Sequence, residues 1–424
     1  MASFEGGVEH FDVCALSPKR ELIADAAGAL ALLEPLGDGA EVRSIKLSNK
    51  SYTSGAAGAL AGKLRTLRGL VVVDISDVIA GRPEAEALEV LSFLSGALAE
   101  ASGGGSAAAS VVESLDVSDN ALGQKGIDAL LPLFEGSAPL KCLKTCNNGM
   151  SEAAARQLAA LATSRGETSL ETLHYFNNMS GDNGAVALAE IVAASPKLSD
   201  LRFSGTRAGR AGSLAFAGAL RPRHLIHTLD LADNSFGDDG GDALAAWLAD
   251  SAAAHGGAAP LAKLVLRDCS LGDDGFAPLA AALDNACPHL AHLDLSGNEL
   301  TAEACDHAFL GSAKPSLEFL GFEENEIASL GGAKLAKQLK AAGPLPKLTT
   351  ALLATNELAS RGALVLVAAL LDAAPNLAKL ELNGNALDDD ALAKLAALLE
   401  TKGKANALGE MDDNDEDLAD DDAL

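Results

Sequence analysis

The stretch Leu229-Asp230-Leu231-Ala232-Asp233-Asn234, followed by Phe236 and then by Ala243, Leu244, Trp247 and Leu248, decides how this chain folds. Leu229 and Leu231 alternate with Asp230, the period of a short strand that points two leucines into a core and leaves the aspartate on the opposite face. Asn234 stands where that strand ends, and its side-chain amide can bond backbone groups that a sharp turn leaves unpaired. Beyond it the apolar spacing becomes four, Ala243 with Trp247 and Leu244 with Leu248, which places all four on one helical face. One unit is therefore predicted to be a strand, a turn and a return helix.

The unit recurs. The position of Asn234 is taken in turn by Lys50, Val78, Asn120, Asn148, Asn178, Thr206, Asn234, Cys269, Asn298, Asn325, Asn356 and Asn385, in steps of 27–31 residues broken by one of 42 and one of 35. A Leu-x-Leu-x-x-Asn pattern at that period marks a leucine-rich repeat. The expected fold is an α/β leucine-rich-repeat solenoid, a ribonuclease-inhibitor-like horseshoe. Its parallel strands line the concave face and its helices the convex one, because helices are wider than the ~4.8 Å between strands. We expect an N-terminal cap over residues 1–40, about 12 repeats over 41–408, and an acidic disordered tail over 409–424. Asp116, Asp119, Asn147, His174, Asp230, Asp233, Asp268, Asp294, Glu323 and Glu324 are expected on the concave surface.

Composition narrows the function classes. Apolar residues make up 48% of the chain and aromatics only 4%, so the core is built from Leu, Ala, Val and Ile. There is no run of 18 apolar residues, and Met1 to Val13 carries Glu5, Glu9 and Asp12 where a signal peptide needs positive charge. A soluble cytoplasmic protein without membrane insertion is expected. The six cysteines form no CxxC pair, and Cys269 fills the Asn-type position, so reduced structural thiols are expected. A net charge of -27 repels nucleic acid and anionic membranes and favours a partner with a basic face, an attraction that weakens as salt rises. The chain carries no Gly-rich phosphate loop ending in Lys-Ser or Lys-Thr, no Gly-x-Ser-x-Gly and no His-Glu-x-x-His, so no active site of its own is expected.

Irregularity in a repeat array is where function is often inserted. The 35-residue step holds His255-Gly256-Gly257-Ala258-Ala259-Pro260, read as a tolerated insertion. The 42-residue step holds Gly103-Gly104-Gly105-Ser106, read as a loop of little consequence, and Ala80-Gly81-Arg82-Pro83-Glu84-Ala85-Glu86. In the latter, Gly81 and Pro83 restrain a loop that projects Arg82 from the strand-to-helix edge; the alternative is an arginine bonded to carbonyls of its own loop.

The segments Val78 to Val90, Leu115-Asp116-Val117-Ser118-Asp119-Asn120-Ala121-Leu122-Gly123 and Lys46-Leu47-Ser48-Asn49-Lys50-Ser51 closely resemble the Ran GTPase-activating proteins, particularly the plant and green-algal branch. The resemblance runs along the solenoid to the acidic tail. It implies a protein that binds Ran in its GTP form, with Ran-binding proteins as further partners, and that acts as a monomer in the cytoplasm or near the nucleus. It implies activation in trans: GTP and Mg belong to the GTPase, no cofactor is the activator's own, and no arginine finger is inserted. By motif position Asn147, in Thr145-Cys146-Asn147-Asn148-Gly149-Met150, is the asparagine held to orient Ran's catalytic glutamine. Arg82 matches the family's loop arginine. Asp77, Asp119, Asp233, Asp268 and Glu323 are the candidate partner contacts.

Asn148 is expected to cap its turn while Asn147 projects with no structural duty; Asn177 and Asn178 repeat the pair and are read as solvent-facing and capping. Two departures from the family stand out: no Trp-Pro-Pro targeting motif is present, and Glu84 is acidic where relatives in other lineages carry a base. The rival expectation is a passive binding scaffold resembling ribonuclease inhibitor, in which the Gly-Arg loop has no special role.

Overall fold

A computed structural model describes residues 8–103, 111–134, 140–311 and 315–414. The chain forms two compact units, Met1–Leu201 and Arg202–Leu424. The first contains β1 (Val8–Asp12), α1 (Val13–Leu16), β2 (Glu21–Ile23), α2 (Ala26–Leu32), β3 (Val42–Lys46), β4 (Lys50–Tyr52), α3 (Ser54–Leu64), β5 (Val72–Asp74), α4 (Glu84–Gly103), β6 (Ser114–Asp116), α5 (Gly123–Phe134), β7 (Cys142–Lys144), α6 (Glu152–Thr163), β8 (Thr172–His174) and α7 (Gly181–Ala193). After β9 (Asp200–Arg202), the second contains α8 (Arg210–Leu220), β10 (Thr228–Asp230), α9 (Gly237–Ala254), β11 (Lys263–Val265), α10 (Gly272–Ala286), β12 (His292–Asp294), β13 (Phe319–Gly321), α11 (Ala328–Ala342), β14 (Thr350–Leu352), α12 (Ser360–Ala373), β15 (Lys379–Glu381) and α13 (Asp389–Thr401). No helix among the described residues is long and apolar enough to cross a membrane.

Within each unit the described strands pair in parallel, and each repeat presents the same core position to the next. In the first unit the register runs Phe11, Ile45, Val73, Leu115, Leu143, Leu173. In the second it runs Leu229, Leu264, Leu293, Leu320, Ala351, Leu380. All of these are buried, as are Trp247 and Leu248 of α9, so the strand and helix of a repeat close one apolar layer between them.

The predicted asparagine ladder is present. Asn234 donates from Nδ2 to the carbonyls of Phe203 (2.9 Å), Leu231 (3.2 Å) and Ala232 (3.3 Å), and its Oδ1 accepts from the N–H of Thr206 (3.3 Å) and Ala208 (3.3 Å). Cys269 takes the same place: its N–H donates to Asn298 Oδ1 (3.1 Å) and its thiol to the Leu231 carbonyl (3.5 Å), and burial pushes that thiol well above its ordinary pKa. Lys50 solves the position differently. Its fully buried ammonium donates to the carbonyls of Ser17 (2.7 Å) and Lys19 and pairs with Glu21 at 3.5 Å.

Beyond the candidate site, the structure differs from the sequence reading at both ends of the array, between β12 and β13, and at the strand-end aspartates. The N-terminal segment lacks the Leu pattern yet adds β1 to the sheet in register with β3 (Phe11 opposite Ile45), while β2 pairs with β4. At the other end, the acidic segment does not leave the array at residue 409. Gly409 N–H donates to Leu380 O (2.9 Å), Asp413 N–H to Asn383 Oδ1 (3.0 Å), and Asn385 N–H to Asn414 Oδ1 (3.2 Å), so Asn414 is one more ladder residue; residues 415–424 lie outside the described part. Between β12 and β13 the described chain makes a 3-10 turn (Ala304–Asp306) where a return helix is expected. The buried Phe309 fills that space, stacked on Phe322 with centroids 5.8 Å apart and edge-on to Phe276 at 5.3 Å.

Finally, Asp116, Asp230 and Asp294 serve their own turns: each carboxylate accepts the N–H two residues on, at 3.0, 3.2 and 3.1 Å. Asp230 and Asp294 are buried and Asp116 is half-buried, so the expectation that they offer charge on an open surface is corrected: they terminate strands.

Candidate functional site

A single backbone feature sets the geometry of the candidate site. The residue immediately before each ladder position has positive φ: Asn49, Asp77, Asp119, Asn147, Asn177, Gly205, Asp233, Asp268, Gly297, Glu324, Thr355 and Gly384, all between 50 and 68°. That left-handed conformation costs an ordinary L-residue about 1–2 kcal/mol, and Asn, Asp and Gly bear it best. Asn147, Asp77, Asp119, Asp233 and Asp268 therefore have a structural reason for their identity, and the expectation that Asn147 has no structural duty is corrected. What separates these positions is what their side chains meet.

Asn147 sits in the turn after β7. Its Nδ2 donates to Asp119 Oδ1 at 2.7 Å, in the turn after β6, and its Oδ1 accepts from Asn177 Nδ2 at 2.5 Å, in the turn after β8. Asp119 and Asn177 are exposed and Asn147 is half-buried between them. The row stands on a ladder beneath it: Asn120 N–H donates to Asn148 Oδ1 (2.8 Å) and Asn148 N–H to Asn178 Oδ1 (3.2 Å), so Asn148 and Asn178 cap as expected. Asn177 is exposed, and it also bonds Asn147. Its place just before a ladder asparagine, like those of Asn147 and Asp119, is the signal for the row.

Arg82 belongs to the same edge. Gly81, with φ +71°, turns the chain so that the Arg82 N–H donates to Ile79 O (3.0 Å), and the Pro83 carbonyl then accepts the first bond of α4 from Ala87 N–H (2.9 Å). The side chain does not project freely. It lies 20% exposed with Nη1 3.5 Å from Glu86 one helical turn on, and its Nε is buried with no hydrogen-bond partner among the described residues. Arg82 and Asp119 line one cavity of about 580 Å³ together with Ile79, Leu88, Leu91 and Leu122. Glu84 beside it is held by Lys125.

Of the acidic candidates in the first unit, Asp77 accepts from Arg20 Nη2 at 2.5 Å and is 19% exposed, so it is engaged internally rather than offered outward. In the second unit Glu323 is likewise engaged, by Arg267 Nη1 at 3.2 Å, and Arg267 also binds Glu324. Asp268 is exposed, 3.5 Å from Arg267 Nε, and partial burial raises its pKa, with Glu324, Asp233 and Asp294 adding to the rise. Asp233 is exposed. Asp77, Arg82, Asp119 and Asn147 thus fall in one unit and Asp233, Asp268 and Glu323 in the other. Among the described residues no group of His, Cys, Asp and Glu side chains is placed to hold a metal ion.

The repeats, the asparagine ladder and the parallel strands make this chain a leucine-rich-repeat protein of the α/β solenoid class, and a Leucine Rich repeat family model matches residues 109–131, 224–245 and 286–306. Within that class its likeness is to Ran GTPase-activating proteins. RAN GTPase-activating protein 2 of Arabidopsis thaliana is 38% identical over 128 residues, 30% of this chain and 22% of that protein. RAN GTPase-activating protein 1 of the same plant is 42% identical over 112 residues, 26% and 19%. The match thus spans about a fifth of the length of those two relatives. The mouse ribonuclease inhibitor is 28% identical over 309 residues, covering 70% of this chain and 65% of that one.

Proposed function

We propose that this chain stimulates GTP hydrolysis by the small GTPase Ran, acting in trans and without an active site of its own. The observation that carries the reading is the likeness to the two Arabidopsis activators; the Arg82–Asp119–Asn147 edge supports it. In this reading Asn147 presents its amide to the glutamine of Ran that aligns the attacking water, and correct orientation alone lowers the barrier. Arg82 secures the approach of Ran without entering its nucleotide site, since its guanidinium is tethered to Glu86 and only 20% exposed. GTP and its magnesium ion are carried by Ran. Asp233 and Asp268, both exposed, are the acidic contacts we retain for a basic face of the partner. The chain would act as a monomer in the cytoplasm or close to the nuclear envelope, with Ran-binding proteins as auxiliary partners in nucleocytoplasmic transport.

Single-turnover hydrolysis on Ran loaded with GTP tests this. The expected result is a rate that rises with the concentration of this chain and saturates. An unchanged rate at saturating chain would overturn the proposal. A second reading, a passive scaffold, is favoured by the longer coverage of the mouse ribonuclease inhibitor. It predicts tight, salt-sensitive capture of a basic protein with no effect on nucleotide turnover.

A further inference from the structure

We infer that Asp119 and Asn177 are positioning residues that together fix which way the Asn147 amide faces. The inference rests on the function proposed above. A side-chain amide is a donor on one side and an acceptor on the other, and an exposed asparagine can turn either way. Asn147 cannot. A carboxylate only accepts, so Asp119 at 2.7 Å must face the Asn147 NH2 group, and the bond is strengthened by the full negative charge. With the Asn147 NH2 group held by Asp119, its oxygen faces Asn177, whose own NH2 group turns to donate to it at 2.5 Å and closes the row. Asp119 sets the orientation and Asn177 locks it by taking the oxygen so presented.

Asp119 N–H donates to Cys146 O (2.8 Å) and Asn147 N–H to Phe176 O (3.0 Å), and Asp119, Asn147 and Asn177 are all left-handed. One N–H and one oxygen lone pair of Asn147 are left over, aimed by the row rather than by solvent. A group held in advance loses no orientational freedom when the GTPase arrives. Asp119 is thereby assigned a different task from the partner contact that its charge suggests.

The test is the saturating single-turnover rate on Ran, separated from the chain concentration that gives half of it. Asp119→Gly keeps the left-handed backbone and removes the acceptor; it is expected to lower the saturating rate about tenfold or more with the half-saturating concentration within about twofold. Asp119→Asn restores an acceptor oxygen and is expected to recover the rate to within about threefold of the unsubstituted chain. Asn177→Gly is expected to fall between the two. Asp119→Gly placed on top of Asn147→Gly is expected to add nothing, because the group it positions is gone. Four results would overturn the inference alone: an unaffected saturating rate in Asp119→Gly, a change confined to half-saturation, no recovery with Asn, or a further loss in the double variant. A failure of the unsubstituted chain to stimulate Ran would instead overturn the proposed function, and this inference with it.

Discussion

Asn298→Ala is expected to destabilise the chain by about 3–5 kcal/mol, since two buried N–H groups lose their only side-chain acceptor at about 1–3 kcal/mol each and further carbonyls lose a donor. Asn298 is fully buried. Its Oδ1 accepts from Cys269 N–H (3.1 Å) and Leu271 N–H (3.3 Å), and its Nδ2 donates to the carbonyls of Leu266 (2.7 Å), Leu295 (2.8 Å) and Ser296 (3.1 Å). Alanine removes every one of these bonds; Ser296 O keeps the Asp268 N–H (2.9 Å) and Leu295 O keeps Asn325 Nδ2 (3.3 Å), so the cost falls on the N–H groups of Cys269 and Leu271 and on the Leu266 carbonyl. Asp233→Gly is the control: it keeps a left-handed residue at an exposed edge and should change stability by no more than about 0.5 kcal/mol. Urea unfolding followed by circular dichroism measures both. A loss below about 1 kcal/mol in Asn298→Ala would show that the ladder is ornamental, since a single net hydrogen bond is worth that much.

The second large effect is steric. A β-carbon at Gly241 in α9 would lie 2.1 Å from the carbonyl oxygen of Gly275 in α10, and one at Gly275 would lie 2.7 Å from the Asp238 Cα. The two helices touch backbone to backbone at this pair. Gly241→Ala therefore has no side chain that can move aside, and we expect it to cost about 3 kcal/mol or more. Gly218 in α8 is the counterexample within the same unit, being exposed with nothing within 4 Å of its would-be β-carbon. Gly218→Ala should stabilise by about 0.5–1 kcal/mol through helix propensity. Thermal unfolding should move in opposite directions for the two substitutions; a shift of the same sign would contradict the packing described.

These contrasts show what could be read in the chain beforehand. Alternating Leu229 and Leu231, the four-residue spacing of Ala243 and Trp247, and the recurring Asn were enough for strand, helix and ladder, because each is a periodicity imposed by repeated burial. The ends were harder. Phe11 does the work of a leucine in β1, and Asn414 is a ladder residue hidden among aspartates, where charge masks the period. The left-handed residue before each ladder position escaped notice because Asn, Asp, Gly, Glu and Thr all occupy it, so no single residue type announces the backbone. Asn147 was singled out through family resemblance and not through chemistry. Its bonds to Asp119 and Asn177 join three separate repeats and could be seen only once the turns were stacked. Arg82 was expected to project, and its pairing with Glu86 follows from a four-residue spacing at the start of α4.

The most direct test of the account is the saturating single-turnover rate of Ran with Asn147→Gly. Glycine is the informative choice, because alanine would add the strain of a left-handed β-carbon to the loss of the amide, whereas glycine removes the amide alone. We predict a fall of about a hundredfold or more at an unchanged melting temperature. A rate within about threefold of the unsubstituted chain would mean that the amide has no part in turnover.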